Sequence, residues 1–493
     1  MSPPWHTAVR DGVRHGLLPR AQQQLMLLRL LFATCWCPTH AAPALQPVHL
    51  EFAGEAYEDY RRLGKQSGAE TLHSKPVKLL QAQSFRIPGF DTVADGLRES
   101  HQGQECISGS DSPSASRCKR FRAYNPTLAA SGDGRGVVLM ARLSNWSLCE
   151  WTGQGRPYAD WPKTRWPSAV FEEYHSHMAY TVIPAVQLAN ASTTPAPAAG
   201  AQLLPLDEAL WLRTRAPFFE IFRQGVEDPR LLLVRGELRA LVAYGKRAAR
   251  QQPTRLADER VEGVGAFRQA LVALPGLPGA GVPPAIGPGD FLPLETDFDR
   301  GSQQKNWMPF THGGSVYAVY QLVPKMKVLL LDEATGSATA AHETVPDAAL
   351  LALQRADVRG GSQCVPVPEQ GLYLGVAHVS RGRGMYTHFF FAFADQPPFE
   401  MLGVSREWCF AHEEAFQQGK ELLCEGVQFV GGLALLGSPA ETPAGASLQL
   451  AMAYGVMDCD ARVARWPLQR ALGAIRFSKR PRRRRRAAAA AEL

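Results

Sequence analysis

The 493-residue sequence predicts an all-β fold, a five-bladed β-propeller with helical and Pro/Gly-rich insertions. Three observations carry that prediction. Apolar runs of strand length come in pairs around Gly-rich turns, the pairs recur every several tens of residues, and each pair opens on a polar motif at the same end. Small twisted sheets set around an axis produce this pattern, because their inner strands converge and bring residues distant in sequence to one funnel. An all-β sandwich with unrelated polar strand ends is the competing reading.

Residues 1–45 read as a leader. Arg10, Arg14 and Arg20 precede the apolar patch Leu25 to Cys37, and small residues follow at Ala41, Ala42 and Ala44. This is the order of a secretory signal, pointing to the Golgi or the extracellular space, with an organelle transit peptide as the alternative. The patch is shorter than the roughly 20 residues a transmembrane helix needs and contains Arg29, so membrane association is left open rather than predicted. Residues 46–120 are an N-terminal extension leading into the propeller, which is assigned to residues 121–475. Of the 9 cysteines, those beyond the leader are Cys106, Cys118, Cys149, Cys364, Cys409, Cys424 and Cys459. Cys106 with Cys118, and Cys409 with Cys424, flank short polar loops and could pair in an oxidising compartment, although connectivity is not readable from sequence. Asn145 and Asn190 head glycosylation triplets on the same condition.

Five hairpins follow. The first has Asn125-Pro126, a Gly-rich turn at Ser131 to Gly136 and a strand ending at Arg142. The second, QGVEDPRLLLVRGELRALVAYG, sets Glu227-Asp228-Pro229-Arg230 before two apolar runs split by Arg235-Gly236-Glu237. Pro229 cannot donate a ladder hydrogen bond and suits a strand entrance. The third has Lys305-Asn306-Trp307 and a turn at His312-Gly313-Gly314. The fourth has Arg359-Gly360-Gly361, a turn at Pro368 to Gly371 and a strand carrying His378. The fifth leads into Tyr454-Gly455 and Asp458. Between hairpins, Asp207 to Gly225 reads as a short amphipathic helix ended by Pro217. Thr254 to Leu274 also reads as helical, and Pro275 to Asp290 is a Pro/Gly-rich connector.

The formal charge of +7 does not point to nucleic acid, because Lys479, Arg480 and Arg482 to Arg486 account for all of it within the tail, residues 476–493. Those residues followed by an alanine run read as disordered low-complexity sequence. No Gly-x-Ser-x-Gly elbow, Gly-x-x-x-x-Gly-Lys loop or Cys-x-x-Cys pair is present. His175 and His177 with Glu173 could meet a metal, but two neighbouring histidines in a loop are more often solvated, so neither a metal nor an organic cofactor is predicted.

The funnel residues suit carbohydrate chemistry. Asp228 beside Glu227 in a narrow channel is expected to have a raised pKa, as a proton donor near neutral pH requires. Arg142, Arg230, Lys305, Arg359 and His378 offer donors for anionic groups. Asn125, Asn306 and Asp458 offer the mixed hydrogen bonding that sugar hydroxyls need, and Trp307 and Tyr454 offer flat apolar faces for a pyranose ring. The plainer alternative is that Arg230 pairs with Glu227 to brace its sheet, and that Trp307 and Tyr454 only pack between sheets.

This ordered series, from Asn125-Pro126 through Gly225 to Arg230, Lys305-Asn306-Trp307, His378 and Tyr454-Gly455 to Asp458, resembles the β-mannoside phosphorylases and the related β-1,2-mannosyltransferases. The resemblance spans roughly Arg122 to Leu468. It implies a five-bladed propeller and a catalytic Asp228, which in the phosphorylases protonates the glycosidic oxygen through a sugar hydroxyl while phosphate inverts the anomeric carbon. A transferase would use the same Asp to deprotonate an acceptor. His378-Val379 departs from the Tyr-His-Gly of the phosphorylases, which weakens the case for phosphate at that strand. The expected function is therefore an inverting carbohydrate-active enzyme, a transferase ahead of a phosphorylase or hydrolase. Its co-substrate would be phosphate, a sugar phosphate or a nucleotide sugar, and its partner an oligosaccharide. A non-catalytic glycan-binding propeller is the second class.

Overall fold

The computed structural model describes residues 78–80, 83–87, 89–100, 121–131, 134–144, 176–189, 200–204, 206, 225–246, 266–276, 286–298, 305–346, 348–353, 357–380, 386–410, 427–437 and 448–478. The leader, the arginine tail, Asn145, Asn190, Glu173, His175, the helix expected after Asp207, and Cys106, Cys118, Cys149 and Cys424 lie outside these residues. Among the described residues no helix is long and apolar enough to cross a membrane.

Strands β1 (Lys78–Leu80) and β2 (Gln83–Arg86) and helix α1 (Phe90–Ser100) come first. Five sheets follow. The first is β3 (Arg122–Ala130), β4 (Gly136–Ser144), β5 (Ser176–Pro184) and β6 (Gln202–Leu204), side by side in that order. The second is β7 (Val226–Val234), β8 (Glu237–Lys246), β9 (Ala266–Ala273) and β10 (Phe291–Pro293). In the third, β12 (Met308–His312), β13 (Ser315–Gln321), β14 (Met326–Leu331) and β15 (Ser337–Thr344) are followed at the edge by β11 (Glu295–Thr296). The fourth is branched. In it β18 (Leu372–Ser380) pairs with β16 (Asp357–Gly360), β17 (Val365–Val367) and β19 (Tyr386–Ala394), and β19 pairs with β20 (Met401–Ser405) and β21 (Trp408–Phe410). The fifth is β22 (Gln428–Leu436), β23 (Gln449–Val456) and β24 (Asp460–Pro467), with β2 antiparallel to β24. Strand β25 (Ile475–Phe477) joins β20, and β1 joins β21.

The structure is mostly β and its arrangement propeller-like, as expected, with four unbranched sheets and one branched sheet where five equivalent blades were expected. Alternation along each strand explains it. Along β7, Leu231 faces an apolar cluster shared with the first sheet and Leu232 one shared with the third. Along β18, Leu372, Leu374 and Val376 face the fifth sheet, while Tyr373, Ala377 and Val379 face the third. A fifth cluster joins the last sheet to the first through Ala451 and Ala453 against Leu128 and Val137. Strands buried on both faces read as continuous apolar runs, and such runs marked the hairpins in the sequence. The terminal strand β2 closes the last sheet, and Ser84 Oγ lies 2.7 Å from Tyr454 Oη, 370 residues away.

One element differs from expectation. Residues 266–273, read as helical, form strand β9. Its run Ala266-Phe267-Arg268-Gln269-Ala270-Leu271 has good helix formers. However, Ala270 and Val272 pack on the first sheet's side and Leu271 on the third's, so burial on two opposite faces overrides local propensity.

Candidate active site

The polar motifs sit in backbone bulges. The register slips between Tyr124 and Thr127 in β3 and between Glu227 and Arg230 in β7. Each slip contains a proline, which has no N–H to leave unpaired. The residue before it, Asn125 or Asp228, is left-handed at φ 47° in both strands. Asn306, just ahead of β12, repeats this conformation at φ 65°. Asn and Asp tolerate the left-handed region better than other non-glycine residues, and a bulge turns the side chain out of the alternating pattern. Pro229 therefore lies within the strand rather than at its entrance. Gly225, at φ 65°, opens β7 so close to β5 that a Cβ would stand 2.1 Å from the Ser176 carbonyl oxygen.

These bulges converge on one charge cluster. Asn125 Nδ2 donates to Asp228 Oδ1 at 2.9 Å. Arg142 Nη2 donates to Glu227 Oε1 at 2.6 Å, its Nη1 reaches Asp228 Oδ1 at 3.4 Å, and its Nε donates to Ser176 Oγ at 2.7 Å. Lys305 Nζ stands 2.6 Å from Glu227 Oε2 and 3.2 Å from Asp228 Oδ2. The Arg142 guanidinium lies 5.0 Å from the centre of the Tyr124 ring, and Lys305 Nζ 4.3 Å from that of Phe267. Three sheets supply these groups. All but Lys305 are buried, so each charge depends on its partner.

The electrostatics overturn one expectation. Burial favours a protonated Asp228, but the charges of Lys305, Arg142 and Arg230 and the Asn125 hydrogen bond outweigh it and hold this carboxyl well below the usual carboxylate range. Asp228 is ionised at neutral pH, because three cations surround the pair where the sequence had suggested two carboxylates repelling each other. The raised carboxyl is Asp458. Burial drives it up to about 7 against the pull of Arg142, and Asp228 and Glu227 add repulsion that Lys305 partly offsets. Asp458 is half-buried in the turn from β23 to β24, left-handed at φ 47°.

Other predicted residues take different places. Arg230, 1% exposed, does not brace Glu227. Its Nη1 donates to the backbone oxygens of Asp228 and Pro229 at 2.8 and 2.9 Å, its Nε donates to the Gly361 oxygen of the fourth sheet, and it lies over Phe429. Its Nη2 has no partner among the described residues, and burial lowers the group to about 10, still cationic at neutral pH. His378 is buried beside Tyr386, with ring centroids 4.8 Å apart. Burial, then His388, Arg359 and Arg230, press it well below the ordinary range, so it is a neutral donor or acceptor and not a cation. Arg359 is exposed and paired with Asp357 at 2.7 Å. Trp307 and Tyr454 are buried between sheets. Trp307 packs edge-on to Tyr320, and Tyr454 stacks at 3.9 Å on Phe410, so neither offers a ring face to a ligand here. His177 packs against Phe121.

Sequence reasoning missed Ser176, Phe267 and Tyr386, which lie on strands that carried no polar motif, and Tyr124, an aromatic residue beside Asn125-Pro126. It also missed Gln363. This side chain donates to the carbonyls of Leu128 and Leu433, both at 2.6 Å, and so ties the fourth sheet to the first and fifth. Thr127 reaches the same amide at 3.4 Å and accepts from Leu231 N–H at 3.2 Å. Arg230, Gln363 and Thr127 are all buried and link strands of different sheets.

No family model matches the chain, and no curated protein matches its sequence. Among solved structures, it is similar to a β-1,2-mannobiose phosphorylase from Listeria innocua, at 14% identity over 72% of this chain and 92% of that one, with a TM-score of 0.40. It is also similar to MPT-1, a GDP-Man-dependent mannosyltransferase from Leishmania mexicana, at 10% identity over 70% and 85%, TM-score 0.34. CoXyl43, a GH43 β-xylosidase/α-arabinofuranosidase from a compost metagenome, shares 10% identity over 70% and 92%, TM-score 0.36. These neighbours include members of the group that the motif series resembles.

Proposed function

We propose that this chain is an inverting carbohydrate-active enzyme, a glycosyltransferase that moves a β-mannosyl group from a sugar phosphate or nucleotide sugar to an oligosaccharide. The branched sheet is read as the fifth blade, so that five inner strands surround the site. The observation that carries the reading is the convergence of Asn125, Arg142, Glu227, Asp228 and Lys305 from three sheets on one ionised carboxylate.

Glycosyl transfer passes through an oxocarbenium-like state, and a fixed negative charge beside the ring stabilises it. Asp228 is that charge. Its Oδ1 accepts from Asn125 and Arg142 and its Oδ2 faces Lys305, so both oxygens are engaged, which favours a single inverting displacement over attack by Asp228 itself. Lys305, the partly exposed cation of the cluster, is the group assigned to attract the leaving phosphate. Asn306, Asp458 and neutral His378 supply hydrogen-bonding capacity for sugar hydroxyls. Phosphorolysis is the same displacement run backwards. The leader sequence, together with the disulfide-bonded state of Cys409 and Cys459, supports a secretory compartment, where transfer fits better than phosphate-driven salvage.

The test is a mass-spectrometric assay of the purified chain and its Asp228→Asn variant. They are offered GDP-mannose or mannose 1-phosphate with a mannoside acceptor, and separately β-1,2-mannobiose with phosphate. Product from the wild type and none from the variant is expected, and the donor consumed distinguishes transfer from phosphorolysis. Equal binding of mannosides by both proteins with no product from either would make the protein a glycan-binding module.

A further inference from the structure

The bulge that carries Asp228 needs something to hold it. Between Glu227 and Arg230 the register of β7 slips, so the Asp228 and Pro229 carbonyls have no place in the ladder with β8, and Asp228 stands at φ 47°. A non-glycine residue keeps that conformation only where its surroundings enforce it. The equivalent bulge of β3 is backed by main chain: Gly431 and Gly432 of β22 come so close to Pro126, Thr127 and Leu128 that neither glycine has room for a Cβ. In β7 the backing group is a side chain, that of Arg230.

Arg230 reaches back over the bulge that it ends. Its Nη1 donates to the Asp228 carbonyl at 2.8 Å and to the Pro229 carbonyl at 2.9 Å, and its Nε donates to the Gly361 carbonyl, just past β16. One guanidinium thus ties both bulge carbonyls of the second sheet to the fourth. Gly361 is itself clamped, since a Cβ there would stand 2.6 Å from the Val376 carbonyl oxygen of β18 and 3.0 Å from that of Val430 in β22. Arg230 is 1% exposed and makes no ion pair with a carboxylate among the described residues. Burying a cation without such a partner costs stability, so what offsets that cost is the set of charge-assisted bonds to three carbonyls, two of them in the bulge.

We propose that Arg230 is a positioning residue for glycosyl transfer: by fixing the Asp228 and Pro229 carbonyls to the fourth sheet, it keeps Asp228 in the left-handed bulge from which its carboxylate meets Asn125, Arg142 and Lys305. This deepens the function proposed above and rests on it. No hydrogen bond or ion pair joins the guanidinium to the Asp228 carboxylate, so Arg230 acts through the backbone. Without it the strand relaxes toward regular alternation, and the Asp228 side chain turns away from the 2.9 Å bond that Asn125 makes from the first sheet. A catalytic group displaced by about 1 Å costs on the order of 100-fold in rate.

The test compares the full chain with three variants. Arg230→Met fills the space without the donors, Arg230→Lys keeps the charge but cannot span the β7 carbonyls and Gly361 together, and Gln363→Ala removes other buried links between sheets. Crystal structures without ligand should show Asp228 out of the left-handed region and its bond to Asn125 broken in both Arg230 variants, with both features intact in Gln363→Ala. In the transfer assay, kcat per folded molecule should fall about 100-fold in Arg230→Met and at least about 10-fold in Arg230→Lys, with KM within about threefold of the wild type, while Gln363→Ala keeps the wild-type kcat. If Arg230→Met does not fold, Arg230→Lys decides by the same two readings. Arg230 variants that keep the left-handed Asp228 and its bond to Asn125, or that lose melting temperature alone, overturn the proposal. If the wild type turns over no sugar offered, the proposed function fails, and the crystal structures still decide what holds Asp228.

Discussion

Asn125 donates its amide hydrogen to Asp228 at 2.9 Å across 103 residues of sequence, and both residues hold the same left-handed φ of 47° in equivalent bulges of neighbouring sheets. One geometry thus delivers a donor from the first sheet and an acceptor from the second. A hydrogen bond to a charged group is worth about 1.5–3 kcal/mol, so Asn125→Ala is expected to lower kcat/KM by about 10- to 100-fold in the transfer assay. Asn125→Asp would set two carboxylates against each other and force a proton onto one, so its residual activity should recover as pH is lowered.

Arg142 and Lys305 hold the same two carboxylates but differ in exposure: the side chain of Arg142 is 6% exposed and that of Lys305 is 23%. Arg142→Ala strands Glu227 and Asp228 without their buried partner and should cost roughly 3–5 kcal/mol in urea unfolding. Lys305→Ala, where water can enter, should cost distinctly less stability while still impairing turnover.

The two aspartates impose opposite pH dependences on stability. Asp228 is lowered in the folded state, so its contribution is present at neutral pH and is lost as pH falls below about 4. Asp458 is raised to about 7, so its contribution is full in acid and is lost as pH rises from about 4 through 7. Asp458→Asn should therefore melt above the wild type at pH 8, with the gap shrinking toward pH 4. Thermal melts at both pH values check the sign.

Gln363 offers a purely structural prediction. Removing its amide takes one buried donor away from each of the Leu128 and Leu433 carbonyls, so Gln363→Ala should lose roughly 1–3 kcal/mol in denaturant titration without shifting the pH profile of any activity.

The hairpins were legible because strand pairs such as β7 with β8 and β12 with β13 are rich in buried apolar residues and close on tight turns at Arg235-Gly236 and Gly313-Gly314. The clustering of Asn125, Glu227, Asp228 and Lys305 was legible from their repeated position ahead of the hairpins, and that of Arg142 from its place at the far end of the first hairpin's second strand, opposite Tyr124. Strand β9 was not, since the residues that decide its conformation belong to the sheets on either side. Nor was the ionisation of Asp228, which depends on Arg142 and Lys305 lying 86 and 77 residues away along the chain. Trp307 and Tyr454 carried a ligand-binding chemistry that burial against Tyr320 and Phe410 withdraws. Asp458 was recognised as polar, but what sets it apart, the lack of a partner, is visible only once the other carboxylates are seen paired.

The central claim is that the paired-charge cluster at the inner strand ends is where a glycosyl group reacts. A crystal structure with β-1,2-mannobiose or mannose 1-phosphate bound tests it most directly. The account predicts the sugar ring above Asp228, with Lys305, Asn125 and Asp458 within hydrogen-bonding distance of its oxygens. A sugar bound elsewhere, with Asp228 and Lys305 still closed on Glu227 and Arg142, would contradict it.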